Sequence, residues 1–121
     1  MLILFVEYHA SFRQAASYLM GQESDMEVVS QADSVAGGRE KMAEGGIDAA
    51  LVDIPLPDEG AVELVRELHE TNPSIPVLVL THPRDRHDVY EEFLKAGAAE
   101  VLSKDHSVAE VFAAVRRLGG E

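Results

Sequence analysis

The chain has no cysteine, which excludes disulfides, thiolate zinc sites and cysteine nucleophiles. Cations are scarce: Lys and Arg number 10 against 22 Asp and Glu, a formal net charge of −12. That scarcity argues against direct nucleic-acid binding, which takes lysines and arginines to neutralise phosphates. It also disfavours anionic membrane surfaces, and leaves a cation or a basic protein face as fitting partners. Long apolar runs are missing too. Residues 1–6 are apolar but meet Glu7 at once, whereas a signal peptide opens on a basic stretch and carries a longer apolar core. No stretch approaches the ~20 apolar residues of a membrane span. The expectation is a soluble, cytoplasmic protein without membrane contact.

What is present is enough apolar material for a core. A length of 121 residues with 46% apolar content suits one domain, 1–121, and excludes a disordered acidic tail. Five short apolar runs stand out, at 2–6, 28–32, 49–54, 77–80 and 100–102. Most are continuous rather than alternating, as expected of strands covered on both faces in a parallel sheet. Between them lie segments of helical period. Phe12, Ala15, Ala16 and Leu19 follow i, i+3, i+4, i+7, as do Val108, Val111, Phe112 and Val115. Ala61, Leu64, Val65 and Leu68 repeat the pattern, and Val89, Phe93 and Ala96 give a looser version. Segment 34–45 is the poorest helix, because Gly37 and Gly38 each cost roughly 1 kcal/mol relative to alanine.

The punctuation agrees. Ser107 to Glu110 is a capping box for the last helix, and Asp33 or Ser34 caps the second. Gly45-Gly46, Gly97 and Gly119 stand at helix C-caps, and Asn72-Pro73 ends the third helix. Strand then helix, five times over, gives an open five-stranded parallel sheet, doubly wound with helices on both faces. Ligands of such sheets sit beyond the carboxyl ends of the strands. Glu7, Asp53, Thr81 and Lys104 end the first, third, fourth and fifth strands. A carboxylate can accept a phosphoryl group. A cation offsets the phosphoryl charge, an ammonium such as Lys104 fixes it, and a hydroxyl such as Thr81 can hydrogen-bond it.

This constellation resembles the receiver domain of two-component response regulators, over essentially the whole chain. The pieces are Leu-Phe-Val-Glu-Tyr-His at 4–9, Ala-Leu-Val-Asp-Ile-Pro-Leu-Pro at 50–57, Val-Leu-Val-Leu-Thr at 77–81 and Gly-Ala-Ala-Glu-Val-Leu-Ser-Lys-Asp at 97–105. The resemblance implies a flavodoxin-like receiver fold and a signalling domain, not an enzyme. It makes Asp53 the phosphoacceptor, Thr81 the switch hydroxyl, Lys104 the phosphate-pairing lysine and Glu7 part of the acidic metal pocket. It implies a histidine kinase or phosphotransfer protein as partner. A further protein or a second copy would dock on the face of the fourth helix, fifth strand and fifth helix.

The departures from the family are specific. Tyr8 replaces the second acid, and a phenol is a poor ligand for magnesium, so Mg2+ is expected to bind weakly. The loop from Asp53 to Gly60 is one residue shorter than the family's, and Pro55 occupies the position whose carbonyl would bind metal. His82 follows Thr81 where a small residue is preferred, and Val101 replaces the switch aromatic.

Each residue also has a plainer reading. Asp53 is then a carboxylate in a solvated loop, Lys104 an ion-pair partner holding the fifth strand, and Thr81 a strand-end hydroxyl bonded to backbone. Glu7 is half of a buried pair, and Tyr8 a packed ring covering the pocket. His9, His82, His87 and His106 lack tight ligand spacing and read as solvated loop residues rather than a transition-metal set. Asp85, Asp88, Glu91 and Glu92 read as an exposed acidic face or a docking face for a basic partner. Three functions stay open: a phosphorylated receiver, a phosphorylation-independent pseudo-receiver, and a flavodoxin-like cofactor binder. The last needs a glycine- or hydroxyl-rich turn after the first strand, where this chain has Glu7-Tyr8-His9-Ala10.

Overall fold

The apolar runs become strands: the first keeps its limits, the second, fourth and fifth gain one residue, and the third ends at Asp53, one residue before the end of its run. In the computed structural model, which describes residues 1–82 and 87–119, the strands are β1 (Leu2–Val6), β2 (Glu27–Ala32), β3 (Ala49–Asp53), β4 (Val77–Thr81) and β5 (Glu100–Ser103). They form one parallel sheet in the order β2-β1-β3-β4-β5. The continuous runs of β3 and β4 are buried at every position, as strands covered on both faces must be. The register sets Asp53 against Leu80 and Thr81 against Ser103, which aligns the carboxyl ends where the candidate residues lie.

Five helices alternate with the strands: α1 (Ala10–Gly21), α2 (Val35–Glu44), α3 (Ala61–Thr71), α4 (His87–Ala96) and α5 (Val108–Leu118). The caps follow the sequence. Ser107 and Glu110 form the capping box of α5, and Ser34, rather than Asp33, caps α2 by accepting from Gly37 N at 3.0 Å. α3 ends at Thr71 with Asn72 as its C-cap. Glycine in α2 has a packing reason. A Cβ at Gly38 would meet Leu64 Cδ2 at 3.0 Å and Val6 Cγ2 at 3.4 Å, so its absence lets α2 approach the sheet and α3 closely. The acidic residues Asp88, Glu91 and Glu92 are exposed on α4, while Asp85 lies outside the described residues. No described helix is long and apolar enough to cross a membrane.

The sheet separates two cores of unequal quality. On one face Leu4, Val6, Val52, Leu64, Val79 and Phe93 pack under α2, α3 and α4. On the other, Ile3, Phe5, Leu51, Leu78, Met20 and Val115 pack under α1 and α5. There the expected core stripe of α1 is only partly realised: Met20 is its buried residue, while Phe12 is 49% and Leu19 45% exposed. Val108 on α5 is 51% exposed. The reason is a one-ended closure. Arg116 in the last turn of α5 binds Asp25 at 2.7 Å and Glu23 at 2.5 Å in the connection from α1 to β2. Midway along α1 stand the small Ala15 and Ala16, and a cleft of about 390 Å3 remains between the helices.

Candidate functional site

The site is assembled where β1, β3, β4 and β5 end. Glu7 follows β1, its N–H donating to Ala32 O at 2.9 Å, and its Oε2 accepts from His9 N at 3.2 Å. Asp53 ends β3 and is 1% exposed. Lys104 is placed by its own N–H, which donates to Thr81 O at 2.8 Å, and its Nζ lies 2.5 Å from Asp53 Oδ1. The contact is an ion pair, and Oδ1 has no further partner among the described residues. Burial raises the Asp53 pKa, and the neighbouring Glu7 carboxylate adds to this. Lys104 opposes it, and the result is about 7 against an ordinary 3.8.

Thr81 is fully buried, and its hydroxyl donates to Leu102 O at 3.4 Å. In this state it is a strand-end hydroxyl bonded to backbone. Val101 is half-buried and packs against the core under α4. Pro55 is exposed and follows a cis peptide bond. His82 is exposed, and the cleft that reaches Asp53 between α1 and α5 is not lined by it.

One sequence reading needs correction. Tyr8 does not cover the pocket. Its ring is 50% exposed and stands edge-on to His9 with centroids 5.4 Å apart, because the chain turns outward directly after the buried Glu7. The rim histidines do not converge. His87 pairs with Glu91 at 3.0 Å, His106 bonds Ser103 O at 3.1 Å, and no group of three metal-ligating side chains forms among the described residues.

Two features escaped the sequence. Asp58 accepts from Val35 N at 2.8 Å and Ala36 N at 3.1 Å, which satisfies the first amides of α2 from a loop 22 residues later. Those amides hold its carboxyl below the usual value. The second is the cleft, whose apolar walls end on Glu7, Asp53 and Lys104. The paired alanines of α1 were its one sequence sign.

The sequence pattern of the response regulator receiver domain matches residues 3–116. The chain belongs to the response regulator receiver family. The receiver is 30% identical over 117 residues to the DNA-binding transcriptional activator DevR/DosR of Mycobacterium tuberculosis, a match covering 97% of this chain and 54% of that protein. It is also 30% identical over 114 residues to response regulator GacA of Pseudomonas viridiflava, covering 94% and 53%. The chain therefore spans about half the length of the curated relatives it matches. In fold it is similar to a DNA-binding response regulator of the LuxR family from Staphylococcus aureus, with TM-score 0.88, 18% identity and 98% of both chains covered. A CheY-like receiver domain from Methanospirillum hungatei gives TM-score 0.86 and 21% identity, covering 98% of this chain and 92% of that one.

The family match removes the flavodoxin-like cofactor binder as a reading. The receiver is a signalling module of two-component systems, and receivers of this kind interact with histidine kinases. Receivers generally bind Mg2+ at the phosphorylation site. Here the donor set fits such an ion at Glu7 and Asp53, two buried carboxylates at the strand ends. They supply few anionic donors, since Tyr8 turns outward and Asp58 is engaged by α2.

Proposed function

We propose that this receiver passes a cytoplasmic signal by protein contact, with Asp53 as phosphoacceptor, Lys104 pairing the phosphoryl group, Thr81 its switch hydroxyl and Glu7 sharing a weakly held magnesium ion with Asp53. The observation that carries this reading is the Asp53–Lys104 pair at 2.5 Å, with Glu7 buried beside it at the strand ends. A carboxylate oxygen of Asp53 forms a bond to phosphorus as the bond from phosphorus to the donor's histidine nitrogen breaks, leaving an acyl phosphate. Lys104 is already against Asp53 and follows the charge onto the new phosphoryl oxygens. Magnesium, when bound, offsets the remaining charge on those oxygens. The domain is a module for contact and not an enzyme. Its partners are a histidine kinase or phosphotransfer protein, and a protein or second copy on the face of α4, β5 and α5. The test is incubation with acetyl phosphate and magnesium, read by intact mass. One phosphoryl group is expected on the parent and none on Asp53→Asn; an unmodified parent defeats the reading.

A phosphorylation-independent pseudo-receiver is the second reading, favoured by two observations. The Thr81 hydroxyl is engaged by Leu102 O, and the switch position holds Val101, packed into the core.

A further inference from the structure

The connection from β5 to α5 carries a histidine that phosphoryl transfer to Asp53 does not use. His106 lines the cleft between α1 and α5 together with Glu7, Asp53 and Lys104. Side chains alternate along a strand. In β3, Leu51 packs under α1 and α5 while Val52 joins the opposite core. Asp53, two residues beyond Leu51, therefore turns to the cleft side of the sheet, and Lys104 meets it there at 2.5 Å.

The ring of His106 is oriented by its own turn. Nδ1 lies 3.1 Å from the carbonyl oxygen of Ser103 and 3.5 Å from Asp105 Oδ1. The Ser103 hydroxyl donates to Asp105 and holds its carboxyl below the usual value, so Asp105 is an anion beside the ring. A carbonyl oxygen and an ionised carboxylate only accept. The proton of the neutral imidazole therefore sits on Nδ1, and the lone pair is left on Nε2. A ring held in this way by a third group is a positioned base. His9, the other imidazole on the cleft, lacks that orientation. Its Nδ1 is 3.6 Å from Glu7 Oε2, beyond hydrogen-bond reach, and its side chain is 67% exposed against 37% for His106.

We infer that His106 is the base for hydrolysis of the Asp53 acyl phosphate, and so sets how long this receiver stays phosphorylated. The inference rests on Asp53 as phosphoacceptor. A cleft of about 390 Å3 has room for water, which takes ~30 Å3 a molecule in the liquid. Water attacks phosphorus opposite the bond that breaks, from the cleft side of the phosphoryl group, and donates to His106 Nε2. As the bond from water oxygen to phosphorus forms, the bond from phosphorus to the Asp53 oxygen breaks. Its electron pair returns to the carboxylate. Nε2 takes one proton of the water and passes it to solvent. The products are inorganic phosphate and the free Asp53 carboxylate.

The test charges the whole chain with acetyl phosphate and magnesium, removes the donor by rapid desalting with magnesium kept, and follows the phosphoryl group by intact mass. His106→Asn keeps an amide donor for Ser103 O and offers no base. It is expected to lose the phosphoryl group at least about tenfold more slowly than the parent, since a positioned base contributes on the order of a hundredfold or more. His87→Gln, on α4 and outside the cleft, keeps the parent rate. Heavy water slows the parent more than it slows His106→Asn, because the proton transfer to Nε2 is gone from the variant. Thermal melts establish that each variant is folded, and His106→Gln replaces His106→Asn if that variant is not, with the same slowing expected. A parent that takes up no phosphoryl group defeats Asp53 as phosphoacceptor and this inference with it. A parent that is phosphorylated but decays at the rate of His106→Asn overturns the inference alone and leaves the acceptor standing. So does equal slowing in His87→Gln, or a heavy-water effect that His106→Asn retains in full. Slowing in His9→Gln but not in His106→Asn moves the base to the turn after β1 and also overturns it.

Discussion

Asp53 is under opposed influences whose balance shows in the pH dependence of stability. Its pKa in the fold is raised from 3.8 to about 7, so between those values the folded chain holds a proton that the unfolded chain has released. The stability contributed by this group is complete below about pH 4 and is lost as pH rises through 7. Asp53→Asn is therefore expected to exceed the parent by about 1–2 kcal/mol at pH 8, with the difference narrowing below pH 7 and closing by about pH 4, in urea melts. Lys104→Met removes the ammonium and keeps the stem. It is expected to lose about 1–3 kcal/mol at pH 8 by leaving two carboxylates unopposed. The opposite ordering of the two variants excludes a shared cluster. Tyr8→Asp adds an anionic donor beside Glu7 and is expected to tighten magnesium about tenfold, by calorimetric titration. Asp58→Asn is expected to leave magnesium affinity unchanged, because that carboxylate serves α2. The strand-end residues were legible in the sequence because each terminates an apolar run, and the end of a run is a place in the fold. The positions of Tyr8 and Asp58 were not, since one depends on the path of the chain after β1 and the other on a partner far along it.

At the scale of elements, periodicity reports which face of a helix is apolar but not whether anything covers it. The stripes of α3 and α4 are buried because α2, α3 and α4 pack together on their side of the sheet. The equally regular stripes of α1 and α5 stay half open, because their closure depends on side-chain size at Ala15 and Ala16 and on the Arg116 tether at one end. Glycines in α2 weaken its intrinsic propensity, yet the helix forms, because Gly38 permits a close approach that burial then rewards. End signals were more reliable than composition. Ser107 accepts from Glu110 N at 3.1 Å while the Glu110 carboxylate accepts from Ser107 N at 3.1 Å. Ser107→Ala is expected to lower stability by about 1 kcal/mol, seen as a melting temperature about 3–5 °C lower by circular dichroism.

For the molecule as a whole, strand order and helix alternation followed from the sequence because parallel strands require crossovers, and right-handed crossovers leave few topologies. Whether this receiver switches depends on leverage. A phosphoryl mimic shifts an equilibrium only by its difference in affinity for two states, and here Val101 is packed while Thr81 already has a partner. Beryllofluoride with magnesium is therefore expected to change self-association across α4, β5 and α5 by less than about tenfold, or ~1.4 kcal/mol, in sedimentation equilibrium. A larger change restores the phosphorylation switch. The Asp58 contact with α2 has a mechanical consequence. Asp58 belongs to the stretch that follows the phosphoacceptor, and α2 is lashed again to α3 by Arg39 and Glu67 at 2.7 Å. Asp58 and the exposed Arg39–Glu67 pair join residues 58–71 and α2 at two points, as one connected block. Displacement beginning at Pro55 would travel through that block toward the β2 edge of the sheet, the opposite edge from α4 and β5. Amide exchange at Val35 and Ala36 would then report events at the phosphoacceptor.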